Sequence, residues 1–249
     1  MIHSVDKAMC LLELLLQYRQ PMTLLELSER SGYPKSTTYA MLSTMREHGM
    51  IEQRQDGRYY LGIRLFECGC AVSSAWDISA VARPYLDRLA SRTEASAFLS
   101  RMEGGDVVNF DYSARGGGLQ VVPEIGCRLS LHATSQGKLL LSRLSSDEVH
   151  QRLQKAGMQA FTPHTITEET MLTDELRRIR EQGYSVEDGE YKVGLRSISA
   201  PVRDHTGSVR YALGVVGLFR RVRSEDFQNA IDQTVQQAKE LSAALGYRL

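Results

Sequence analysis

The sequence is poor in the residues that mark several classes of protein. It has four cysteines and one tryptophan in 249 residues, and no apolar run approaches the roughly 18 residues of a membrane span. The cysteines are irregularly spaced, which argues against a disulfide framework and a zinc site. An apolar stretch near the N-terminus is broken by Glu13 and lacks the basic start of a secretion signal. We therefore expect a cytoplasmic protein without membrane spans or metal.

Neither sign of charge is in excess. Thirty Lys and Arg balance thirty Asp and Glu, and residues 1–70 hold eight of each. Such a chain does not coat nucleic acid or membranes by bulk charge, so any contact with DNA has to come from a local surface. The content of 42% apolar and 24% charged residues is typical of a folded protein, and the length suits one or two domains.

The first 61 residues predict three helices followed by a hairpin. Apolar residues at helical spacing predict a helix over 5–18, and Thr23 is a candidate N-cap for a second helix. Pro34 suits the first position of a third helix, which ends at Gly49. Asp56-Gly57 predicts a hairpin with a two-residue turn. This order is the layout of a winged helix-turn-helix.

The third helix and the hairpin are the candidate elements for contacting DNA. A helix in the major groove presents short hydroxyl and basic side chains from its first turns, and we expect those side chains to be exposed here. Basic residues beside the hairpin tip suit phosphate or minor-groove contacts. The candidate DNA-binding residues are Thr23, Lys35, Ser36, Thr37, Thr38, Tyr39, Arg54 and Arg58. Trihelical units also serve as dimerisation or protein-binding domains, and the balanced charge keeps that alternative open.

The remaining residues predict strands mixed with helices, and hence an antiparallel sheet with helices on its faces. Helices are predicted over 77–92 (interrupted or kinked at Pro84), 134–144, a short segment capped by Ser146, 170–182 and 224–245. Strands are predicted over 95–101, 107–112, 184–187, 197–203 and 209–217, with a flexible glycine-rich loop at 115–118.

No catalytic constellation stands out in the sequence. Serine-hydrolase, zinc-protease and dinucleotide-binding motifs are absent, so we expect no catalytic residues and no cofactor. Four histidines lie at no ligand spacing and are expected at the surface or at helix caps: His132, His150, His164 and His205. Two alternatives remain: an enzyme built on the C-terminal half, and a thiol redox sensor using Cys68, Cys70 or Cys127.

Three segments resemble the IclR family of bacterial transcription regulators. They are TLLELSERSGYPKSTTYAMLSTMREHGMIEQ with GRYYLGIRLFECG, then RLSLHATSQGKLLLS, and finally GYSVEDGEYKVGLRSISAPVRDHTGSVRYALGVVG. The resemblance runs from about residue 4 to residue 245 in the same order. One departure lies in the third helix, where Ala40 replaces the Arg of many relatives. An operator sequence therefore does not carry over from those relatives, because a bidentate contact is lost.

The resemblance implies an α+β protein with two domains. These are a winged helix-turn-helix domain over 1–66 (helix-turn-helix about 23–42, wing about 52–61), a linker-helix region over 67–92, and an effector-binding domain over 77–249 with a GAF- or profilin-like antiparallel sheet. Its implied partners are double-stranded operator DNA, a small-molecule effector such as an organic or aromatic acid, and further copies in a homodimer or dimer of dimers. Repression is the commoner mode in this family.

The resemblance also implies where the effector binds. The family positions fall on Thr134, Ser135, Glu187, Ser197, Gly214 and Val216. Ser197 stands where relatives have Cys, and Gly214 and Val216 stand where they have Ser. These changes remove hydroxyl groups, add an apolar wall at Val216 and leave more volume at Gly214. They therefore predict an effector larger or less polar than glyoxylate or pyruvate. The alternative is that these positions are core packing and the ligand binds elsewhere.

Overall fold

A computed structural model describes residues 2–74, 78–114, 121–222 and 224–247. The chain divides into two compact units, 1–77 and 78–249. Two predicted features, the helix start at Asp77 and the glycine-rich loop at 115–118, lie outside the described residues. Within those residues, every helix is too short or too polar to span a membrane.

The first unit contains the three predicted helices and the hairpin. Its elements are α1 (His3–Tyr18), α2 (Leu24–Ser31), α3 (Lys35–Glu47), β1 (Ile51–Gln53), β2 (Tyr59–Leu61) and α4 (Ile63–Ser74). Leu11, Leu27 and Leu42 bring one buried residue from each of the first three helices into a shared core. The sequence predicted a linker-helix region that begins at residue 67, whereas α4 already begins at Ile63, directly after β2.

Local capping explains where α2 begins and ends. The Thr23 hydroxyl accepts the Glu26 amide at 3.2 Å, and the Glu26 carboxylate accepts the Thr23 amide at 2.7 Å, forming a capping box. Gly32 ends the helix with a φ of 72°, a left-handed conformation that favours glycine. The predicted N-cap is confirmed.

The hairpin loop is longer than the sequence predicted. The Arg54 amide donates to the Arg58 carbonyl at 2.8 Å, which leaves three residues in the loop rather than the two of Asp56-Gly57. Gly57 has a φ of 81°, as expected of the glycine that closes a three-residue loop. The turn residue was predicted correctly and the loop length was not.

The second unit is built on a six-stranded antiparallel sheet within the described residues. Its strands are β3 (Ser96–Glu103), β4 (Asp106–Ser113), β5 (Arg128–Leu129), β6 (Ser185–Asp188), β7 (Arg196–Arg203) and β8 (Val209–Gly217), in the order β5-β4-β3-β8-β7-β6. Its helices are α5 (Ile78–Thr93), α6 (Ser135–Leu141), α7 (Ser146–Ala156), α8 (Glu169–Gln182) and α9 (Glu225–Ala244). The predicted antiparallel sheet is confirmed, and β5 was not predicted.

One face of this sheet packs against α5 and α9. Leu86 and Leu89 of α5 and Phe227 of α9 join strand residues in a single apolar core. Of the two predicted effects of Pro84, the interruption is wrong, because α5 continues through it, and the kink stays a prediction. Proline removes one helical hydrogen bond, and α5 packs against the sheet through Leu86 and Leu89 on the C-terminal side of Pro84.

The opposite face carries α6, with α7 and α8 beyond it. Gly137 allows α6 to approach the preceding segment closely, since a Cβ there would lie 2.5 Å from the carbonyl oxygens of Ser130 and Leu131. The N-cap of α7 is Ser145 rather than the predicted Ser146, because the Ser145 hydroxyl accepts the Glu148 amide. The outer helices pack on α6 through apolar residues that include Leu139, Leu153, Leu172 and Leu176.

Candidate functional site

The start of α3 forms an exposed polar surface. Lys35 and Ser36 are exposed, Tyr39 is 53% exposed, and Thr37 is half-buried. Pro34 precedes the helix without a side-chain cap, so the first backbone amides of α3 donate to no side-chain cap among the described residues and can donate to another group. Short polar side chains and free amides at one helix start suit contacts with phosphate and base edges.

The expected exposure of Thr38 is wrong. Its side chain is fully buried, and its hydroxyl donates to the Pro34 carbonyl at 3.2 Å. The reason is helical periodicity, because Thr38 lies one and two turns before the buried Leu42 and Met45 on the inner side of α3. Thr38 therefore supports the helix from inside and is not available to DNA.

The two hairpin arginines have different surroundings. Arg54 is exposed, with its guanidinium 5.7 Å from the ring centre of Tyr60. Arg58 folds back against the protein, where it donates to the Pro21 carbonyl at 3.3 Å and lies 3.5 Å from Glu26. The hydroxyl of Thr23 is held by Glu26 at 2.8 Å. Arg58 and Thr23 therefore belong to one network that joins the hairpin to the start of α2.

A cavity of about 190 Å³ lies on the α6 face of the six-stranded sheet. Four of the six predicted effector residues line it: Thr134, Glu187, Ser197 and Val216. The other lining residues are Phe98, Asn109, Val121, Val122, Pro123, Glu124, Cys127, Arg128, Leu129, Gln136, Tyr191, Lys192 and Leu195. The walls are thus mostly apolar, with polar groups at separate points.

The two remaining predicted residues do not line the cavity. Ser135 is buried, with its hydroxyl oxygen 2.8 Å from that of Ser199 on β7. Gly214 was expected to leave empty volume in the site, and this expectation is wrong. A Cβ at Gly214 would lie 2.5 Å from the Phe98 ring and 2.2 Å from the Ile198 carbonyl oxygen. The aromatic ring fills the space that the missing side chain leaves.

The Thr134 hydroxyl has already used its one donor hydrogen. It donates to the Ser130 carbonyl at 2.7 Å and accepts the Gly137 amide at 3.1 Å as the N-cap of α6. Thr134 can therefore offer a ligand mainly the apolar part of its side chain. The polar recognition has to come from other lining residues.

Glu187 is a buried carboxylate at the cavity wall. It is 3% exposed and accepts the Tyr191 amide and the Ser197 hydroxyl, each at 3.1 Å. Burial raises the pKa of Glu187 to about 7, and these two hydrogen bonds only partly oppose the shift. In the described part of the chain, Glu187 forms no ion pair. Each carboxylate oxygen keeps capacity for a further donor.

A buried ion-pair cluster lies behind this wall. Lys138 of α6 is 1% exposed and pairs closely with Glu190, while its Nζ lies 3.7 Å from a Glu175 oxygen on α8. Burial raises the pKa of Glu190 although Lys138 opposes that shift. The cluster joins α6, α8 and the segment after β6, so it holds the cavity wall in place.

His132 is buried, not at the surface as expected. Its ring nitrogens lie 3.1 Å from the Ser130 hydroxyl and 3.0 Å from the Gln159 carbonyl oxygen. Burial lowers the pKa of His132. The residue therefore ties the segment before α6 to the chain after α7. Among the described residues, no three His, Cys, Asp or Glu side chains form a group that could hold a metal ion.

Sequence reasoning missed Asn109 and Gln136 as lining residues. Both are at least 95% buried and face the cavity. A bulge places Asn109 there, because Ser100 pairs with Asn109 while the adjacent Leu99 pairs with Asp111. A bulge re-aims side chains along a strand. The available signal was an Asn placed between the apolar residues Val108 and Phe110 of β4.

Two family models match the chain in the order of its two units. The model described as the IclR helix-turn-helix domain matches residues 4–55. The model described as Bacterial transcriptional regulator IclR C-terminal matches residues 70–243, more than half of the chain.

Similar proteins cover nearly the whole chain. HTH-type transcriptional regulator XynR of Escherichia coli (strain K12) is 32% identical, over 99% of this chain and 98% of that protein. The acetate operon repressor of Salmonella typhimurium is 27% identical, over 98% and 90% respectively. A solved structure of an IclR homologue from Microbacterium hydrocarbonoxydans, complexed with 4-hydroxybenzoate, has a TM-score of 0.82 at 23% identity and covers 97% of this chain and 98% of its own.

Proposed function

Because the chain belongs to the IclR family of bacterial transcriptional regulators, we propose that a small organic acid in the cavity controls its binding to operator DNA. The chain is a regulator and not an enzyme, like the relatives that it matches. The observation that carries the proposal is the presence, in one chain, of an exposed polar helix start on α3 and a cavity on the α6 face.

The proposed DNA contacts come from α3 and the hairpin. Lys35, Ser36, Thr37 and Tyr39 would enter the major groove, and Arg54 would contact phosphate or the minor groove. Thr23 and Arg58 would act mainly by fixing the hairpin against α2, since their polar groups already have protein partners. This division separates contacting from positioning residues.

Fluorescence anisotropy on the chain's own upstream DNA tests this proposal. Specific binding predicts a preference of about a thousandfold over a scrambled duplex. Lys35→Ala and Arg54→Ala should weaken binding and reduce the salt slope by about one each if they contact phosphate. Lys155→Ala, on α7 in the other unit, is the matched control. Unchanged salt slopes in both variants would contradict the assigned contacts.

The effector is proposed to be an organic acid larger or less polar than pyruvate. The support is the apolar wall formed by Phe98, Leu129 and Val216, together with a few polar groups. The homologue complexed with 4-hydroxybenzoate shows that this fold can hold an aromatic acid. Calorimetry with a panel of acids tests the size argument, which fails if pyruvate or glyoxylate binds tightly and no larger acid does.

A second copy of the chain is the proposed protein partner. On α1, Val5, Met9 and Leu16 follow one helical stripe and are each about half exposed, and on α4 Ile63 and Phe66 are more than 60% exposed. Exposed apolar stripes of this kind suit a homodimer, or a dimer of dimers, on a near-palindromic operator. Sedimentation of Phe66→Asp should show weaker association than the unaltered chain.

Repression in the bacterial cytoplasm is the proposed mode of action. The acetate operon repressor is among the relatives matched over nearly all of this chain. A few kcal/mol of coupling between effector and DNA binding is enough for a useful switch. A transcription assay on the upstream promoter tests the direction, because a repressor lowers transcript and an activator raises it.

A further inference from the structure

A second cavity lies at the edge of the six-stranded sheet beside α9, apart from the first cavity on the α6 face. Strand β6 pairs with β7 only as far as Ser199, so the rest of β7 presents an open edge. The cavity between this edge, the end of α8 and one side of α9 has a volume of about 530 Å³. That volume lies within the roughly 300 to 1,000 Å³ typical of small-molecule sites.

Two cations line this second cavity. They are Arg203 at the end of β7 and Lys239 on α9, and among the described residues no Asp or Glu lines the cavity. Neither cation forms an ion pair in the described part of the chain. Arg203 donates to the Gly207 carbonyl at 2.8 Å, while its neighbour Asp204 pairs with Arg210 instead. A cavity with unneutralised cations attracts an anion.

The two cations start from the same part of the cavity. The Arg203 amide donates to the Ser242 hydroxyl at 2.9 Å, which fixes the end of β7 against α9. Lys239 comes one helical turn before Ser242 on the side of α9 that lines the cavity. A single compact group with two negative charges can therefore pair with both cations.

Two further arginines add positive charge near Arg203. Burial lowers the pKa of Arg143, and the charges of Arg203 and Arg180 lower it further. Arg180 donates to the Ser142 carbonyl at 3.2 Å, next to Arg143 in the chain. The Arg143 Nε is sealed from solvent and has no partner within the described residues. Glu181 follows Arg180 but is exposed and does not line the cavity.

The rest of the cavity wall is mostly apolar. The hydroxyl of Ser242 has used its donor hydrogen on the Ala238 carbonyl at 2.7 Å, and the Gln182 amide donates to the Tyr184 carbonyl at 2.7 Å. The remaining surface suits an apolar body beside the charged group of a ligand. The side chains that supply it are Ala200, Pro201, Val235, Ala238, Ala243 and Tyr247.

We propose that the second cavity binds a phosphate monoester with a small apolar body. Arg203 and Lys239 pair with the phosphate, which carries about −1.5 to −2 charges near pH 7, and Val235 and Tyr247 contact the body. The charge of Arg143 strengthens the positive potential without touching the ligand. A monocarboxylic acid, as proposed for the first cavity, would leave one of the two lining cations unpaired. The two sites therefore take different classes of anion.

Isothermal titration calorimetry with the full-length chain at pH 8 tests the doubly charged group. The probes are matched pairs of one shape, phenyl phosphate with phenyl sulfate and butyl phosphate with butyl sulfate, in which the sulfate carries a single charge. In at least one pair the phosphate should bind about tenfold or more tightly, because the sulfate loses a charge-assisted contact. Equal affinities in both pairs, or no binding by either phosphate, would overturn the proposal.

Variants of the cations test the contacts. Lys239→Gln removes a contacting cation at an exposed position and should weaken phosphate-ester binding about tenfold or more. Arg143→Gln should weaken it less, because Arg143 acts at a distance. Lys155→Gln makes the Lys239 change on α7, outside the cavity, and should leave the affinity unchanged. Unchanged affinity in Lys239→Gln would contradict the site, and thermal unfolding checks that each variant is folded.

Two tryptophan variants separate the two cavities. Val216→Trp should fill the first cavity and leave phosphate-ester binding unchanged, whereas Ala243→Trp should narrow the second cavity and weaken that binding. The reverse result would place the phosphate esters in the first cavity and overturn the proposal. The organic acids of the first cavity are titrated separately, so a failure here leaves the proposed function standing.

Discussion

The two faces of the six-stranded sheet use the same strands for different purposes. Toward α5 and α9, the buried strand residues are mostly apolar, and the two polar ones, Asp111 and Ser113, bond to Arg83 and Asp87 of α5. The apolar ones are Ala97, Leu99, Ile198, Ala200, Val202, Leu213 and Val215. Toward α6, the buried strand residues include Ser100, Asn109, Glu187, Ser197 and Ser199. Alternation along each strand puts one set on each face. The first face supplies hydrophobic stabilisation, whereas the second keeps polar groups that only hydrogen bonds or a ligand can satisfy.

The contrast between the two faces explains where the unit can accommodate a binding site. Apolar packing on the α5–α9 face stabilises the sheet without directional requirements. The α6 face depends on specific pairs, such as the Ser135 and Ser199 hydroxyls and the Lys138–Glu190 ion pair. We therefore expect substitutions on the two faces to lower the free energy of unfolding through different interactions. On the α5–α9 face the loss comes from apolar burial, and on the α6 face it comes from specific polar pairs.

Lys138→Met should have the largest effect. It leaves Glu190 and Glu175 without their buried cation, and breaking a buried ion pair from one side costs about 3 to 5 kcal/mol. Burial already raises the pKa of Glu190, so the loss should become smaller as pH falls and the stranded carboxylate takes up a proton. Urea denaturation of the variant and the unaltered chain at pH 5 and pH 8 measures the loss of stability and its dependence on pH.

The control for Lys138 is an exposed pair on α8. Arg177→Met removes the partner of Asp174, and both side chains are more than 60% exposed. Exposed pairs contribute little, so the denaturation midpoint should hardly move. Equal losses in the two variants would show that the buried cluster does not support the cavity face.

Glu187→Gln should make the unfolding free energy less dependent on pH. The folded-state pKa of Glu187 is about 7, above the ordinary value of 4.5. A raised carboxyl pKa favours folding below about pH 4.5, and that contribution is lost as pH rises through 7. The unaltered chain therefore loses on the order of 3 kcal/mol across this window, a loss that the Gln variant avoids.

Urea denaturation of both chains at pH 4.5 and pH 8 measures this prediction. The Gln variant should be the more stable of the two at pH 8, and its advantage should shrink toward pH 4.5. Glu181→Gln makes the same change at an exposed position near the end of α8 and controls for loss of a surface charge. A constant difference between Glu187→Gln and the unaltered chain would contradict the assigned pKa.

Val215→Ala and Val216→Ala compare the two faces with one residue type. Val215 is fully buried in the apolar core, and its truncation should cost about 2 to 3 kcal/mol through lost burial and a new void. Val216 borders the existing cavity, so its loss should cost about 1 kcal/mol or less. Chemical denaturation of the two variants measures the loss in free energy of unfolding for each. Equal losses would mean that the cavity face is packed as tightly as the core.

Local signals predicted much of the fold. The N-cap Thr23, the turn residue Gly57 and the boundaries of β8 are encoded within a few residues of where they act. Thr38 was misplaced although helical periodicity already indicated its inner position. Such features can be predicted from the local sequence. Thr38 was expected to be exposed because it carries a hydroxyl, although its spacing from Leu42 and Met45 places it on the buried side of α3.

The cavity could be predicted only in part because it depends on long-range pairing. Glu187, Ser197 and Val216 were placed by resemblance. Asn109 was missed because a bulge against Ser100 sets its direction, and Gly214 was misread because Phe98 reaches it from another strand. Neither contact leaves a periodic signal in the sequence.

Ser199→Ala should have a small effect, similar to that of Val216→Ala, and the most specific one. Its hydroxyl meets that of Ser135 at 2.8 Å across the boundary between β7 and α6, and loss of one buried hydrogen bond costs about 1 kcal/mol. Ser135→Ala should cost a similar amount, although its hydroxyl also donates to Gln136. Because each single variant strands the remaining hydroxyl, the double variant should cost less than the sum of the two. A double-mutant cycle measures that coupling, and strict additivity would show that the two hydroxyls do not hold α6 to the sheet.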